Sequence, residues 1–171
     1  MQFLRIDGTE LADPVVDQEK IGGSIADMLR RMEEKLRAHN RTAVDITVAP
    51  THQITTPYPQ AALQQIVYNA VLHRTYERTN APVRVYWFND RIEISSPGGP
   101  YGNVTGENFG HPGITDYRNP NMADVLKTLG FIQAFGRGIA TARRAMERNG
   151  NPQPVFEATP TAVLCILPGK S

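Results

Sequence analysis

Residues 83–95 read VRVYWFNDRIEIS, and this stretch decides the fold class. β-Branched and aromatic residues dominate the runs 83–88 and 91–95, which is typical of β-strands. Asn89 and Asp90 separate the two runs, and both residue types tolerate the positive φ angles that a two-residue hairpin turn requires. The stretch therefore predicts an antiparallel β-hairpin.

An apolar helix is predicted just upstream of this hairpin, over roughly residues 60–76. Its apolar side chains point in nearly every direction on a helical projection, so we expect the helix to be largely buried. Gln65, Asn69 and His73 are among its few polar residues, and they follow one another at intervals of four. They share one flank of the helix, where a buried amide must find hydrogen-bond partners.

The other predicted elements mix helices with strands. Residues 8–17 should form an arm, and a glycine-rich loop with six glycines between Gly98 and Gly113 should follow the hairpin. The remaining predictions are strands at 2–6, 42–48, 155–158 and 161–167, a loop at 50–57, and helices at 18–39, 121–129 and 139–148. This order predicts an α+β fold, in which helices cover one face of a mixed, mainly antiparallel sheet to give a two-layer α/β sandwich.

Length and composition exclude several classes of protein. The chain has 171 residues, which suits one domain, and its formal net charge of +1 is too small for a surface that holds nucleic acid mainly by its phosphates. No run approaches the roughly 18 apolar residues of a membrane span. Cys165 lies in an apolar run, where a core residue is expected rather than a nucleophile. These features predict a cytoplasmic globular protein.

Three familiar site patterns are absent from the sequence. The C-terminal Gly169-Lys170-Ser171 is not a P-loop, because Leu164 stands where the first glycine is needed and no helix follows. Gly136-Arg137-Gly138 lacks the third glycine of a dinucleotide fingerprint, and a helix rather than a strand precedes it. The four histidines show no metal-ligand spacing, so no metal site built from protein ligands alone is predicted.

Three remaining features together predict a nucleotide site. An amide oxygen such as that of Asn69 can bind a Mg²⁺ ion that bridges phosphates. The run Ser96-Pro97-Gly98-Gly99 lets the backbone approach a ligand, and Gly136-Arg137-Gly138 opens a helix whose amides can hold anionic oxygens. A purely structural alternative stays open, in which Asn69 cross-links a buried helix and the glycines serve turns.

Four blocks of the sequence also resemble a known family. The blocks are residues 62–76 (ALQQIVYNAVLHRTY), 91–99 (RIEISSPGG), 118–120 (RNP) and 135–139 (FGRGI). In this order, over about residues 59–168, they resemble the GHKL-type ATPase domain of RecG-related ATP-dependent DNA helicases and of AlbA-type, Schlafen-like transcriptional regulators. The resemblance implies a GHKL (Bergerat) sandwich at residues 18–171. Residues 1–17 would then be an arm or linker from an upstream DNA-binding domain that this chain lacks.

The resemblance further implies roles for individual residues. Asn69 matches the family's Mg²⁺-binding asparagine. Gln65 stands where active members carry a glutamate as general base, and an amide cannot take a proton near neutral pH. Ser96 stands where an aspartate reads adenine. The expected cofactor is ATP or ADP with Mg²⁺, and hydrolysis should be weak or absent. The implied nucleotide-binding residues are Asn69, His73, Arg74, Ser96, Gly98, Gly99, Asn119, Gly136 and Gly138.

Three functions follow from this pattern as alternatives. In the first, the domain is a nucleotide-sensing regulatory module. DNA would bind through the upstream domain, and the protein would form a homo-oligomer. In the second, it is an active ATPase that uses Glu107 or His73 as its base. In the third, it is a nucleotide-free interaction or dimerisation module with a vestigial site. None of these is a helicase motor, because the known motors use a P-loop.

Overall fold

The main sheet is built around the predicted hairpin. The computed structural model describes residues 1–40, 43–44, 54–77, 79–111, 113–132 and 136–170. In chain order the elements are β1 (Gln2–Ile6), β2 (Val15–Lys20), α1 (Ile25–His39), β3 (Ala43–Val44), β4 (Ile54–Thr55), α2 (Gln60–Leu72), β5 (Arg84–Trp87), β6 (Arg91–Pro97), α3 (Pro120–Thr128), α4 (Gly138–Asn149), β7 (Val155–Ala158) and β8 (Ala162–Pro168). β5 and β6 pair in antiparallel fashion across Asn89 and Asp90, which confirms the hairpin.

Six strands form this sheet in the order β2-β1-β5-β6-β8-β7. β1 runs parallel to β5, and each other neighbouring pair is antiparallel. Burial alternates along β6, so that Ile92, Ile94 and Ser96 face the interior. The predicted α+β class, with a mixed and mainly antiparallel sheet in a two-layer α/β sandwich, is confirmed.

One hydrophobic core lies between the sheet and the helices. Each helix that the described residues form contributes to it, because each has apolar side chains that must be buried against another element. Its fully buried side chains include Phe3, Leu29, Met32, Leu36, Leu63, Val67, Ile92, Leu126, Met146 and Leu167. A membrane-spanning helix would need more length and more apolar residues than any helix formed by the described residues has.

The N-terminal segment differs from its prediction. Residues 8–17 were expected to be an arm, but β2 begins at Val15 and pairs with β1, which itself lies inside the sheet. The predicted helix start at Gln18 is wrong, since residues 18–20 belong to β2. The physical signal for the true start is Ser24, whose hydroxyl accepts a hydrogen bond from the Asp27 amide and caps α1.

The predicted end of the apolar helix at Tyr76 is also wrong, since α2 ends at Leu72. The Asn119 side-chain amide donates to the carbonyl oxygens of Leu72 and Arg74, at 2.7 and 2.8 Å. A distant loop thereby supplies partners for carbonyls at the helix end, and sequence periodicity carries no information about such a tertiary contact.

The C-terminal elements agree with their predictions to within one residue. α3 and α4 each begin one residue earlier than expected, and α4 ends at Asn149, where Gly150 follows in the left-handed conformation that favours glycine. β7 and β8 form the predicted final hairpin. Of the strand predicted at 42–48, residues 43–44 form β3, and the rest lies outside the described residues. The predicted loop at 50–57 lies partly outside them, and residues 54–55 form β4.

Candidate functional site

A cleft opens between α2, the end of β6, the start of α4 and the glycine-rich loop, which spans residues 98–119. Asn69, the run from Ser96 to Gly99, and Gly136 are far apart in the sequence, and all three line this cleft. The predicted site residues that line it are Asn69, His73, Ser96, Gly98, Gly99 and Gly136. A smaller pocket adjoins it, and Gln65, Arg137 and Gly138 line that pocket together with Asn69 and His73.

Asn69 lines the cleft, and one of the two polar atoms of its side-chain amide is used in a hydrogen bond within α2. Its Nδ2 group donates to the Gln65 carbonyl oxygen one turn earlier in α2, at 2.7 Å. Within the described part of the chain, no donor hydrogen-bonds to its Oδ1 atom. The oxygen is therefore available to a cation or to a ligand donor, and amide oxygens are ligands that Mg²⁺ accepts.

Gly138 allows α4 to approach this flank of α2 closely. A Cβ atom placed on Gly138 would lie 2.6 Å from Asn69 Nδ2 and 3.0 Å from Gln65 Oε1. Any larger residue would displace the two amides, so glycine at this position keeps Asn69 and Gln65 beside the first turn of α4. The start of that helix presents free backbone amides, which suit an anion.

The end of β6 forms the opposite wall of the cleft. Ser96 is buried, and its hydroxyl donates to the Ala70 carbonyl oxygen at 2.6 Å. Gly98 has φ of +102°, and a Cβ atom there would lie 2.9 Å from the Thr75 amide nitrogen. A Cβ atom on Gly99 would lie 2.3 Å from the Thr159 carbonyl oxygen. Gly98 and Gly99 therefore allow the end of β6 to pack closely against the backbone of Thr75 and Thr159, and both glycines also line the cleft.

His73 lies at the C-terminal end of α2, between the cleft and the smaller pocket. Its ring stacks on Tyr117, with centroids 5.7 Å apart and planes 11° apart. Burial lowers the pKa of His73 to about 4, and the positive charge of Arg118 contributes in the same direction. The imidazole is therefore neutral near pH 7, with one donor and one acceptor nitrogen. No described side chain or backbone group hydrogen-bonds to these nitrogens.

We expect the protonation of His73 to destabilise the fold as the pH falls from about 6.5 to 4. The unfolded chain takes up the proton near the ordinary pKa of 6.5, whereas the folded chain resists protonation until about pH 4. Stability therefore decreases with falling pH across this window, by about 2 kcal/mol for a ring that is partly exposed.

Urea unfolding at pH 7 and pH 4 measures this loss. The His73→Gln variant serves as the control, because it retains a polar side chain that does not titrate in this range. An equal loss of unfolding free energy in both proteins would show that His73 does not contribute.

The glycine-rich loop is anchored at both ends beside the cleft. Asp116 Oδ2 accepts a hydrogen bond from the Asn103 amide at 3.1 Å, and Arg118 donates to the Gly99 carbonyl oxygen at 3.0 Å. The Arg118 guanidinium also lies 4.7 Å from the centroid of the Tyr101 ring. These contacts join the first residues of the loop to its last, which fixes the base of the loop over the cleft.

Two predicted site residues are not among the described residues that line either pocket. Arg74 donates to the Ala81 carbonyl oxygen through Nε and a terminal nitrogen, at 3.2 and 2.7 Å, and its guanidinium packs on Tyr76. Asn119 holds the end of α2, as described above. The described contacts of both side chains stabilise the chain between α2 and β5.

Sequence reasoning missed the part of the cleft lining that the strands contribute. Ile94, Phe156, Val163 and Cys165 form this part, from three strands. Each lies in a strand-like run, so strand alternation could have placed Ile94 on the core face but could not show that the core opens there. Arg118 was also missed as a cation beside His73, although the sequence places it next to Asn119.

The described residues at this site include no side chain that is well suited to act as a general base. Gln65 cannot accept a proton, and His73 is a weak base because its pKa is low. Glu107 is exposed and is not among the described residues that line the cleft. Asp116 lines the cleft, but its carboxylate oxygens accept hydrogen bonds from the amides of Asn103 and Tyr117. The site is better suited to binding a ligand than to activating water.

Comparisons with known proteins agree with this architecture. The chain is similar to the DIP2311 protein from Corynebacterium diphtheriae, whose crystal structure it matches with a TM-score of 0.82 and 26% sequence identity. The match covers 99% of this chain and 34% of that protein's chain, so this chain spans about a third of its length. A search of the curated proteins gives no match.

The sequence pattern of one protein family matches residues 80–167, just over half of the chain. The matched region includes β5, β6, the glycine-rich loop and the C-terminal hairpin, and it begins after the helix that carries Asn69. The chain therefore belongs to the family described as "Putative ATP-dependent DNA helicase recG C-terminal".

Proposed function

We propose that this domain is a regulatory module whose cleft binds ATP or ADP with Mg²⁺ and hydrolyses the nucleotide slowly or not at all. The observation that carries the proposal is the convergence of Asn69, Ser96 to Gly99 and Gly136 on one cleft. The residue types of these three segments independently predict a single nucleotide site. The family description, which names an ATP-dependent protein, supports the same ligand.

The polarity of the cleft suggests how such a ligand would lie. The end beside Asn69, His73 and the start of α4 offers an amide oxygen, a neutral imidazole and free helix amides. Phosphates and a divalent ion suit this end, with Asn69 Oδ1 as the protein's ligand to the ion. The apolar side chains of the lining, such as Ile94 and Val163, suit the flat ring of the base. Bound Mg²⁺ would supply charge neutralisation between the phosphates.

Slow turnover follows from the side chain at position 65. An amide there can orient a water molecule through a hydrogen bond, but it cannot remove the proton of that water. A ligand that stays intact can instead favour one arrangement of the glycine-rich loop, if it binds that arrangement more tightly. We infer that the domain reports nucleotide occupancy to the remainder of a longer, DNA-associated protein.

Calorimetric titration with MgATP and MgADP tests the proposal. We expect the Asn69→Ala variant to bind MgATP at least tenfold more weakly than the unaltered chain, because the variant lacks the oxygen that would bind the metal. Removal of Mg²⁺ by chelation should abolish most of this difference. The Asn121→Ala variant is a matched control, because Asn121 is an exposed amide on α3.

Two results would contradict the proposal. If no adenine nucleotide produces heat or raises the melting temperature, the cleft is not a nucleotide site, and the nucleotide-free interaction module becomes the better description. If Asn69→Ala and Asn121→Ala bind MgATP equally well, Asn69 is not part of the site.

A further inference from the structure

The main sheet has a second face, on the side opposite the helices. Alternate residues of a strand point to opposite faces, and Phe3 and Ile92 point into the core beneath the helices. Asp17 and Glu19 of β2 lie on that same side, because they form ion pairs with Lys35 of α1 at 2.9 and 3.1 Å. The residues between these positions therefore form the other face of the sheet, which we call the outer face.

The strand registers align the outer-face residues in two rows that cross all six strands. From β2 to β7, one row consists of Gln18, Leu4, Tyr86, Glu93, Ile166 and Val155. The neighbouring row consists of Lys20, Gln2, Arg84, Ser95, Leu164 and Glu157. Each helix formed by the described residues packs into the core on the opposite side, so none of them covers these rows.

Apolar side chains are frequent on the outer face. Leu4, Tyr86, Leu164 and Ile166 are half-buried without belonging to the core, and Val155 is 49% exposed. They come from four different strands, so they form a patch rather than a single exposed residue. A contiguous apolar patch on a protein surface marks an interaction site.

The charges of the outer face are separated by sign. Lys20 and Arg84 lie toward the β2 edge, and Glu157 lies at the β7 edge. Lys20 and Glu157 are exposed, and neither forms an ion pair with another described residue. The two strands lie roughly 24 Å apart in the sheet, at about 4.8 Å per strand, so the two side chains cannot pair within one chain.

We propose that the outer face is a dimer interface, packed face to face against the outer face of a second copy of this chain. A twofold axis that runs parallel to the strands, between β5 and β6, places β2 over β7 and β1 over β8 of the second copy. Leu4 then lies opposite Ile166, and Lys20 lies opposite Glu157. Each contact occurs twice, because the interface is self-complementary.

The same rotation accommodates the polar residues near the middle of the face. Glu93 is paired with Arg91 of its own chain at 2.7 Å, so it brings no unpaired charge into the interface. Tyr86 lies opposite Glu93 of the second copy, and its hydroxyl can donate to the carboxylate oxygen that does not contact Arg91. Arg84 lies opposite Ser95 and diagonally next to Glu93 of the second copy, within reach of a long side chain.

The size of the face indicates how stable the dimer should be. About five residues on each of six strands cover roughly 29 by 17 Å. This is small for an obligate dimer, so we expect monomer and dimer to exchange at micromolar concentrations. The interface and the cleft lie on opposite sides of the sheet, since Ile94 and Ser96 line the cleft from the core side. The dimer and the proposed nucleotide binding can therefore fail independently.

Sedimentation equilibrium tests the interface, with protein concentrations from about 5 to 500 µM. We expect a dimer whose dissociation constant rises at least tenfold in the Ile166→Lys variant, because an ammonium group would be buried opposite Leu4. The Val125→Lys variant is the matched control, since Val125 is an apolar residue on α3 that is 55% exposed. Its dissociation constant should stay within about twofold of that of the unaltered chain.

Reversing the edge charges tests the relative orientation of the two copies. Lys20→Glu and Glu157→Lys should each weaken the dimer by about threefold or more, because each variant places like charges opposite one another at both ends of the interface. The double variant should restore the dissociation constant to within about twofold, because its charges are opposite again. This rescue cannot arise within one chain, given the distance between β2 and β7.

Three results would overturn the proposal. The unaltered chain may sediment as a monomer at every concentration, which would leave the face to another occupant. Ile166→Lys may dimerise as well as Val125→Lys, which would place the interface elsewhere. The double variant may dimerise no better than the single charge reversals, which would exclude this orientation. If Ile166→Lys does not fold, the unaltered chain and the charge reversals decide the matter.

Discussion

Replacing Gln65 by glutamate is expected to raise the rate of ATP hydrolysis by about 10²- to 10⁴-fold, the usual contribution of a general base. Gln65 lines the small pocket that adjoins the cleft, four residues before Asn69 and on the same flank of α2. Glutamate has nearly the same shape as glutamine and adds a group that can take a proton from water. Phosphate release under single-turnover conditions with MgATP measures the effect.

Two control variants separate the base from other effects of the substitution. Gln65→Ala removes the amide without adding a carboxylate, so it should hydrolyse ATP no faster than the unaltered chain. Ala61→Glu adds a carboxylate to the same helix at an exposed position, and it should also leave the rate unchanged. If Gln65→Glu binds MgATP normally but releases phosphate no faster, position 65 is not where a base can act on the attacking water.

Replacing Gly99 by alanine is expected to lower the free energy of unfolding by about 3 kcal/mol or more. The added Cβ atom would lie 2.3 Å from the Thr159 carbonyl oxygen and 2.6 Å from that of Pro160. Both contacts are with backbone atoms, so a side-chain rotation cannot relieve them. Urea denaturation at neutral pH measures the loss, and the midpoint should move without a change in the m-value.

The Gly22→Ala variant is the matched control for this substitution. A Cβ atom on Gly22 meets nothing within 4 Å, and its backbone does not have a positive φ angle. We therefore expect a change of less than about 1 kcal/mol there, in the stabilising direction, because alanine restricts the unfolded chain. Similar losses in both variants would mean that the Gly99 contacts do not restrict the fold.

Residue patterns in the sequence predicted an element correctly where residues within that element determine its structure. The hairpin at Asn89 and Asp90 was correct because strand alternation and turn chemistry agree there. The bounds of α1 and α2 were wrong for different reasons. Ser24 is a local capping signal that apolar spacing does not contain, whereas the Asn119 contact that accompanies the end of α2 joins residues 47 positions apart.

The candidate site was predictable to the extent that its parts carry distinctive residue types. Asn69 and Gly136 stood out as an amide on an apolar helix and a glycine before a helix, and both reach the cleft. The apolar lining residues on the strands were not predictable, because Ile94 and Cys165 have the same pattern as any buried strand residue. Whether a core closes or opens is decided by the packing of several distant segments.

The position of β1 has a consequence for how the chain folds. β1 pairs in parallel with β5, and Phe3 faces Val85 in the register, so this part of the sheet closes only after the chain has brought together residues about eighty positions apart. Contacts of such high sequence separation slow folding, because the entropy of a large loop is lost before the pairing energy is gained. Until β1 pairs with it, one edge of β5 remains open to strands of other molecules, and an open strand edge is a site of aggregation.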